Sequence, residues 1–253
     1  MQSRPTLAAF KQGELPTIAC FNRSTADLRI DFDKLISAMQ KYVDKYVAPV
    51  WGTPAKLVKT TDFKKGAWAM VFLDDADDPE AEAYHDLTPE GLPQAKVFVK
   101  TVLDGGDEVS IAASHELVEM LVDPATNLMT TGPDSKLMYA YESADPVEDL
   151  SFNVDGVPMS NFVFPAYFED FHKARSIQFD AMNKVSKPFQ ILKDGYLIVF
   201  KNGRWVNLTA TTAKKKALGK EDRRGHRSEQ RKEETLKTAD AAAIKRARIN
   251  KLR

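Results

Sequence analysis

Hydrophobic positions in the first half of the chain form short runs interrupted by one helical stripe. The runs predict four β-strands, at residues 17–21, 56–59, 67–73 and 95–103. The third run is apolar on both faces, which favours the centre of a sheet, whereas Lys96 and Lys100 favour an edge position for the fourth. Between the first two runs, apolar residues recur at helical spacing from Phe32 to Val47, and Pro49 is expected to end that helix.

The second half of the chain mixes one long apolar helix with hairpin signals. Residues 107–122 are apolar nearly all round, which is typical of a buried helix. The Asp155-Gly156 pair predicts a tight β-hairpin. Three β-rich runs within 188–208, separated by Asp-Gly and Asn-Gly turns, predict a meander. Together these elements predict an α+β fold.

Charge divides the chain into an acidic body and a basic arm. The 253 residues carry 36 Lys+Arg and 36 Asp+Glu, but residues 214–253 hold 15 basic and 6 acidic residues, a net charge of +9. The remaining 21 basic and 30 acidic residues give residues 1–213 a net charge of −9. We therefore expect a globular domain over 1–212 and a separate, helical basic arm over 213–253.

The arm is the candidate for contact with partners. Its charge density is typical of a solvated, disordered segment, and equally of electrostatic binding to nucleic acid or to an acidic protein surface. The candidate contact residues are the basic side chains nearest the body: Lys214, Lys215, Lys216, Arg223, Arg224 and Arg227. The arm has no aromatic residue, which disfavours base stacking.

Several classes of protein are disfavoured by composition. No apolar run approaches the roughly 20 residues that span a bilayer, and the first residues lack the apolar core of a secretory signal. Cys20 is the single cysteine, which excludes an intrachain disulfide and a cysteine-based zinc site. No glycine-rich phosphate loop is present. An intracellular protein without a membrane segment is expected.

The predicted helix 107–122 carries the candidate chemistry. His115 and Glu119 are four residues apart and share one helix face, and Glu116 projects beside them. A solvated surface cluster is the ordinary explanation for such residues, but the apolar neighbours argue against solvation. Buried carboxylates need a partner, and a divalent metal ion held by His115 and Glu119 would supply one. Glu116 would then act as a general base on metal-activated water.

Three segments together resemble a known group of proteins: HELVEMLVDP, then YESADPVED, then DGVPMSNFVFPAYF. In this order they resemble zincin-like proteins common in bacteriophages and prophages, over about residues 15–170. The resemblance implies a mixed sheet followed by an active-site helix. It places further metal-ligand candidates at Glu142 and Asp145, with Glu148 a weaker one. Asp123 is expected to fix the turn after the helix, and His85 and His172 to be ordinary surface or boundary residues.

Glu119 stands where zincin metallopeptidases usually have a second histidine. A His/carboxylate site suits zinc, our first choice for one bound divalent ion, and also admits Mn²⁺, Ca²⁺ or Mg²⁺. It makes metal-bound water less acidic, which counts against peptidase activity. We therefore expect a phage virion or assembly component, located in the host cytoplasm and in the virion, whose arm binds neighbouring subunits or DNA. The alternative is an active metallopeptidase with Glu116 as base.

Overall fold

The first half of the chain folds around a five-stranded mixed sheet, as seen in a computed structural model that describes residues 15–76, 81–88 and 90–212. Its strands are β1 (Thr17–Asn22), β2 (Lys56–Lys59), β3 (Trp68–Leu73), β4 (Ala83–Leu87) and β5 (Pro93–Phe98). The order is β2-β1-β3-β5-β4, and only β4 runs antiparallel to its neighbour. The predicted first three strands and the central place of β3 are confirmed.

The edge of this sheet differs from the prediction. The edge beside the long helix is β4, which lies in a region expected to be loop, so β5 has a neighbour on each side. Lys96 of β5 therefore donates a hydrogen bond across the sheet to the Tyr84 hydroxyl, at 2.8 Å. The predicted fourth strand was also too long, because the chain turns into helix α3 (Val99–Gly105) directly after Phe98.

The amphipathic stripe folds as α1 (Phe32–Tyr42), a π-helical segment (Val43–Val47) and α2 (Ala48–Trp51). Asp31 caps α1, since its carboxylate accepts from the backbone N–H of Lys34 at 2.8 Å. The prediction that Pro49 ends the helix was wrong. Pro49 lies in the first turn of α2, where a missing N–H costs little, and the left-handed Gly52 ends the helix instead.

The predicted buried helix is present as α4 (Val109–Val122), and it packs against β4, β5 and the hairpin that follows. That hairpin, β8 (Ser151–Val154) and β9 (Val157–Ser160), confirms the Asp155-Gly156 turn, with both turn residues at positive φ. The main core lies between α1, α4 and the mixed sheet and includes Leu117 and Val118.

A second, antiparallel sheet contains β6 (Met129–Thr131), β7 (Met138–Ala140), β10 (Tyr196–Lys201) and β11 (Arg204–Thr209), in the order β11-β10-β7-β6. The predicted meander is therefore only half correct. Its last two runs form the β10–β11 hairpin, but residues 188–192 do not form a strand, because Leu192 N–H bonds to the carbonyl of Pro146. The short β7 takes that place beside β10.

Among the described residues, none of the helices is both long and apolar enough to cross a membrane. The fold as a whole is α+β, with several sheets and few helices. The two larger sheets meet around α4 and the segment that follows β7. That meeting point holds the candidate site.

Candidate metal centre

Helix α4 brings three of the predicted site residues to one buried place. Glu116 and Glu119 are both buried, and His115 is nearly so, because the helix is packed on several sides. The Nε2 atom of His115 lies 3.5 Å from Oε1 of Glu119, as the i,i+4 spacing predicts. Glu119 is held in place by the backbone N–H of Ala144, which donates to its Oε1 at 3.0 Å.

The segment after β7 completes the cluster from the other side. Asp145 begins a short 3₁₀ turn, and its Oδ1 lies 3.2 Å from Nε2 of His115. The ligand atoms of His115, Glu119 and Asp145 all lie within 4.8 Å of one another. Donor atoms around a tetrahedral zinc ion stand about 3.4 Å apart, given metal–ligand distances near 2.1 Å. The two separations from Nε2 of His115 match that spacing, so these three residues could hold a divalent ion.

A small cavity of about 30 Å³ opens between these side chains. Glu116 and Glu142 line it together with His115, Glu119 and Asp145, and Tyr196 of β10 contributes to its wall. No lysine or arginine is among the lining residues in the described part of the chain. Four buried carboxyl groups thus share one small space without a permanently charged cation, and an ion is the simplest way to neutralise them.

The crowding of these groups shifts their protonation. Burial raises the pKa of Glu119 to about 8, and the charge of Asp145 adds to the effect against the opposing effect of His115. Burial also raises the pKa of Asp145. For His115, burial disfavours the imidazolium, but the carboxylates of Glu119 and Asp145 outweigh it and raise its pKa well above the ordinary value. In the absence of metal, the cluster therefore retains protons that an incoming cation must displace.

His85 was wrongly predicted to be a surface or boundary residue. It lies on β4 and is fully buried, with Nδ1 3.1 Å from Oε2 of Glu116 and Nε2 3.2 Å from the carbonyl oxygen of Asp123. The ligand atoms of His85, Glu116 and Glu119 also lie within 4.8 Å of one another. The site therefore contains a second imidazole that the sequence motifs did not indicate.

The remaining predicted residues lie outside the cluster or have other roles. Asp123 fixes the turn after α4, as expected, since its carboxylate accepts from the backbone N–H groups of Asn127 and Leu128, both at 2.9 Å. Glu148 does not line the cavity in the described structure. His172 contacts Glu169 at 2.7 Å and is not part of either metal-ligand group.

The predicted helical arm lies outside the described residues, and so do its candidate contacts: Lys214, Lys215, Lys216, Arg223, Arg224 and Arg227. Comparison of the chain with protein-family models, with curated proteins and with solved structures finds no match. The site is therefore interpreted from its own geometry.

Proposed function

We propose that this chain is a zincin-like metal-binding protein in which one divalent ion joins α4 to the segment after β7. The observation that carries the proposal is the placement of His115, Glu119 and Asp145, whose donor atoms converge from two separate elements. A five-stranded mixed sheet followed by a helix with the His115-Glu116 pair supports the zincin-like assignment. Zinc is the first choice because the set contains an imidazole, and Mn²⁺ would suit its carboxylates as well.

The role that this geometry favours is structural. α4 packs on the mixed sheet, whereas Asp145 belongs to a turn that contacts β10 of the second sheet. An ion held by residues from both would fasten the two sheets together, as a crosslink does.

A domain whose two sheets are crosslinked by a metal ion suits a component of a large assembly. We propose that it works as a virion or assembly protein of phage type, present in the host cytoplasm and the virion. The three motifs that resemble phage zincin-like proteins support this setting, and the net charge of +9 on residues 214–253 supports contacts with neighbouring subunits or DNA.

Thermal unfolding with and without a chelator tests the structural role. An ion at 100 times its dissociation constant stabilises a fold by about 2.7 kcal/mol, or roughly 5 to 11 °C for a chain of this size. We expect EDTA to lower the melting temperature of the wild type and of the matched control His172→Ala by that order. His115→Ala should already melt low and should respond less than either. An equal response to EDTA in all three proteins would place the metal elsewhere.

A metallopeptidase is the second candidate, favoured by one observation. Glu116 lines the cavity directly beside the proposed ligands, where it could take a proton from an attacking water and pass it to the leaving amine. When bound, the ion would supply Lewis-acid activation of the scissile carbonyl. Glu116 itself would be a catalytic residue, and its substitution separates the two candidates.

A further inference from the structure

His85 is a buried imidazole that the single-ion site does not use. Its Nε2 donates to the backbone oxygen of Asp123, because a carbonyl oxygen can only accept. In the neutral ring, Nδ1 then carries a lone pair, and it faces Oε2 of Glu116 at 3.1 Å and Oε2 of Glu119 at 3.9 Å. With a proton on Nδ1 the shorter contact is a hydrogen bond, and with a divalent cation in place of the proton the same three side chains could act as its ligands. A histidine fixed by a backbone carbonyl on one nitrogen is the usual arrangement of a metal ligand.

Glu119 divides its two oxygens between the two imidazoles. Oε1 faces Nε2 of His115 at 3.5 Å, and Oε2 faces Nδ1 of His85 at 3.9 Å. Each imidazole belongs to a group of three potential ligands, and Glu119 is the member common to both groups. We propose that the site binds two divalent cations, with the second held by His85 and Glu116 and with Glu119 as the bridging carboxylate.

The charge of the carboxylate cluster supports two divalent ions rather than one. Glu116, Glu119, Glu142 and Asp145 are all buried and line one cavity, which gives four negative charges when ionised. One divalent ion leaves two of those charges uncompensated in a low-dielectric interior, whereas two ions balance them.

The inference rests on the proposed function, because both ions share Glu119. It also assigns Glu116 to the second cation as a ligand, which takes away its freedom to act as a general base. A two-ion centre therefore counts against Glu116 as the general base of a peptidase.

Native mass spectrometry of the tag-free full chain, equilibrated with Zn²⁺ or Mn²⁺, tests the number of ions. We expect two per chain in the wild type and in the control His172→Gln, and one in His85→Gln. Glutamine can still donate to the Asp123 carbonyl but lacks the Nδ1 ligand. The second site is overturned if the wild type binds one ion, or if wild type and His85→Gln bind the same number of ions. Either result leaves the first site standing. A wild type without metal overturns the proposed function as well.

Electron paramagnetic resonance of the Mn²⁺-loaded wild type provides a readout that does not require His85→Gln to fold. Bridged ions in two-metal sites stand about 3.5 to 4 Å apart, so their spins should couple and replace the spectrum of isolated Mn²⁺. A spectrum of isolated Mn²⁺ at full loading overturns the bridge through Glu119.

Discussion

Nε2 of His115 lies 3.2 Å from Oδ1 of Asp145, although the two residues are 30 positions apart in the sequence. His115 belongs to the helix that packs on the mixed sheet, and Asp145 to the turn that packs against the second sheet. Their contact is thus a direct link between the two halves of the domain. Anything that displaces the Asp145 turn should therefore weaken metal binding at the candidate site.

Gly195 provides a way to displace that turn without changing a ligand. A Cβ atom at Gly195 would stand 2.3 Å from the carbonyl oxygen of Pro146 and 2.8 Å from that of Asp145. We expect Gly195→Ala to cost about 1–3 kcal/mol through overpacking and to weaken Zn²⁺ binding. Calorimetric titration with Zn²⁺ measures the affinity, with the exposed Lys193→Ala in the same turn as control. Unchanged Zn²⁺ affinity in Gly195→Ala would show that the position of the Asp145 turn does not affect metal binding.

Glu116→Gln distinguishes a scaffold from an enzyme, because glutamine keeps the size of the side chain but cannot accept the proton. The proposed structural role predicts no peptide hydrolysis by the wild type above that of Glu116→Gln. The exposed Glu108→Gln, at the N-terminal cap of the same helix, serves as control. Assays on peptide libraries and on the proteins encoded beside this chain provide the measurement. Wild-type hydrolysis that falls about 10² to 10⁴-fold in Glu116→Gln, but not in Glu108→Gln, would establish the peptidase instead.

Asp74 links the end of β3 to the loop after β1 and should make stability depend on pH. Its carboxylate accepts from the hydroxyls of Ser24 and Thr25, at 2.6 and 2.7 Å, and these bonds hold its pKa well below the ordinary value. A lowered pKa means that the stabilisation is present above about pH 4 and is lost as the pH falls further. We expect Asp74→Asn to melt below wild type at pH 7, and the difference to shrink in acid. Asp75→Asn, whose side chain is 78% exposed, should melt like wild type at both pH values.

The basic arm should bind its partner through charge. Replacing its six candidate contacts with glutamine, or deleting residues 214–253, should abolish binding to DNA or to neighbouring subunits and leave the body folded. If six phosphates are contacted, the affinity of the full chain for DNA should fall about 10³-fold between 50 and 200 mM salt. Fluorescence anisotropy with labelled duplex DNA measures both effects. Equal binding by the full and the truncated chains would show that the body, and not the arm, binds the partner.

The local patterns in the sequence were sufficient for the elements whose signals are local. The strand at β3 and the helix α4 follow from apolar runs of the right length, and the α4 spacing placed His115 and Glu119 on one face. The segment that contains Asp145 was reached through a motif resemblance, and its approach to α4 depends on the folding of the whole chain. Local patterns cannot supply such long-range distances.

His85 shows most clearly what the sequence could not reveal. The β4 segment, AYHDL, follows an acidic stretch and carries a histidine and an aspartate, so it was interpreted as loop. It becomes a strand because it pairs with β5, and His85 is buried because that edge packs against α4. Both causes are tertiary contacts, made by residues that are distant in the sequence. The only local signal was alternation, which puts Tyr84 and His85 on opposite faces of the sheet.

Metal analysis of the purified chain shows whether His115, Glu119 and Asp145 hold a divalent ion. Tag-free wild type, produced in metal-replete medium and dialysed against metal-free buffer, is measured by inductively coupled plasma mass spectrometry alongside His115→Ala and His172→Ala. We expect at least one divalent ion per chain in the wild type and in His172→Ala, and a clear loss in His115→Ala. A folded wild-type protein that contains no metal would contradict it.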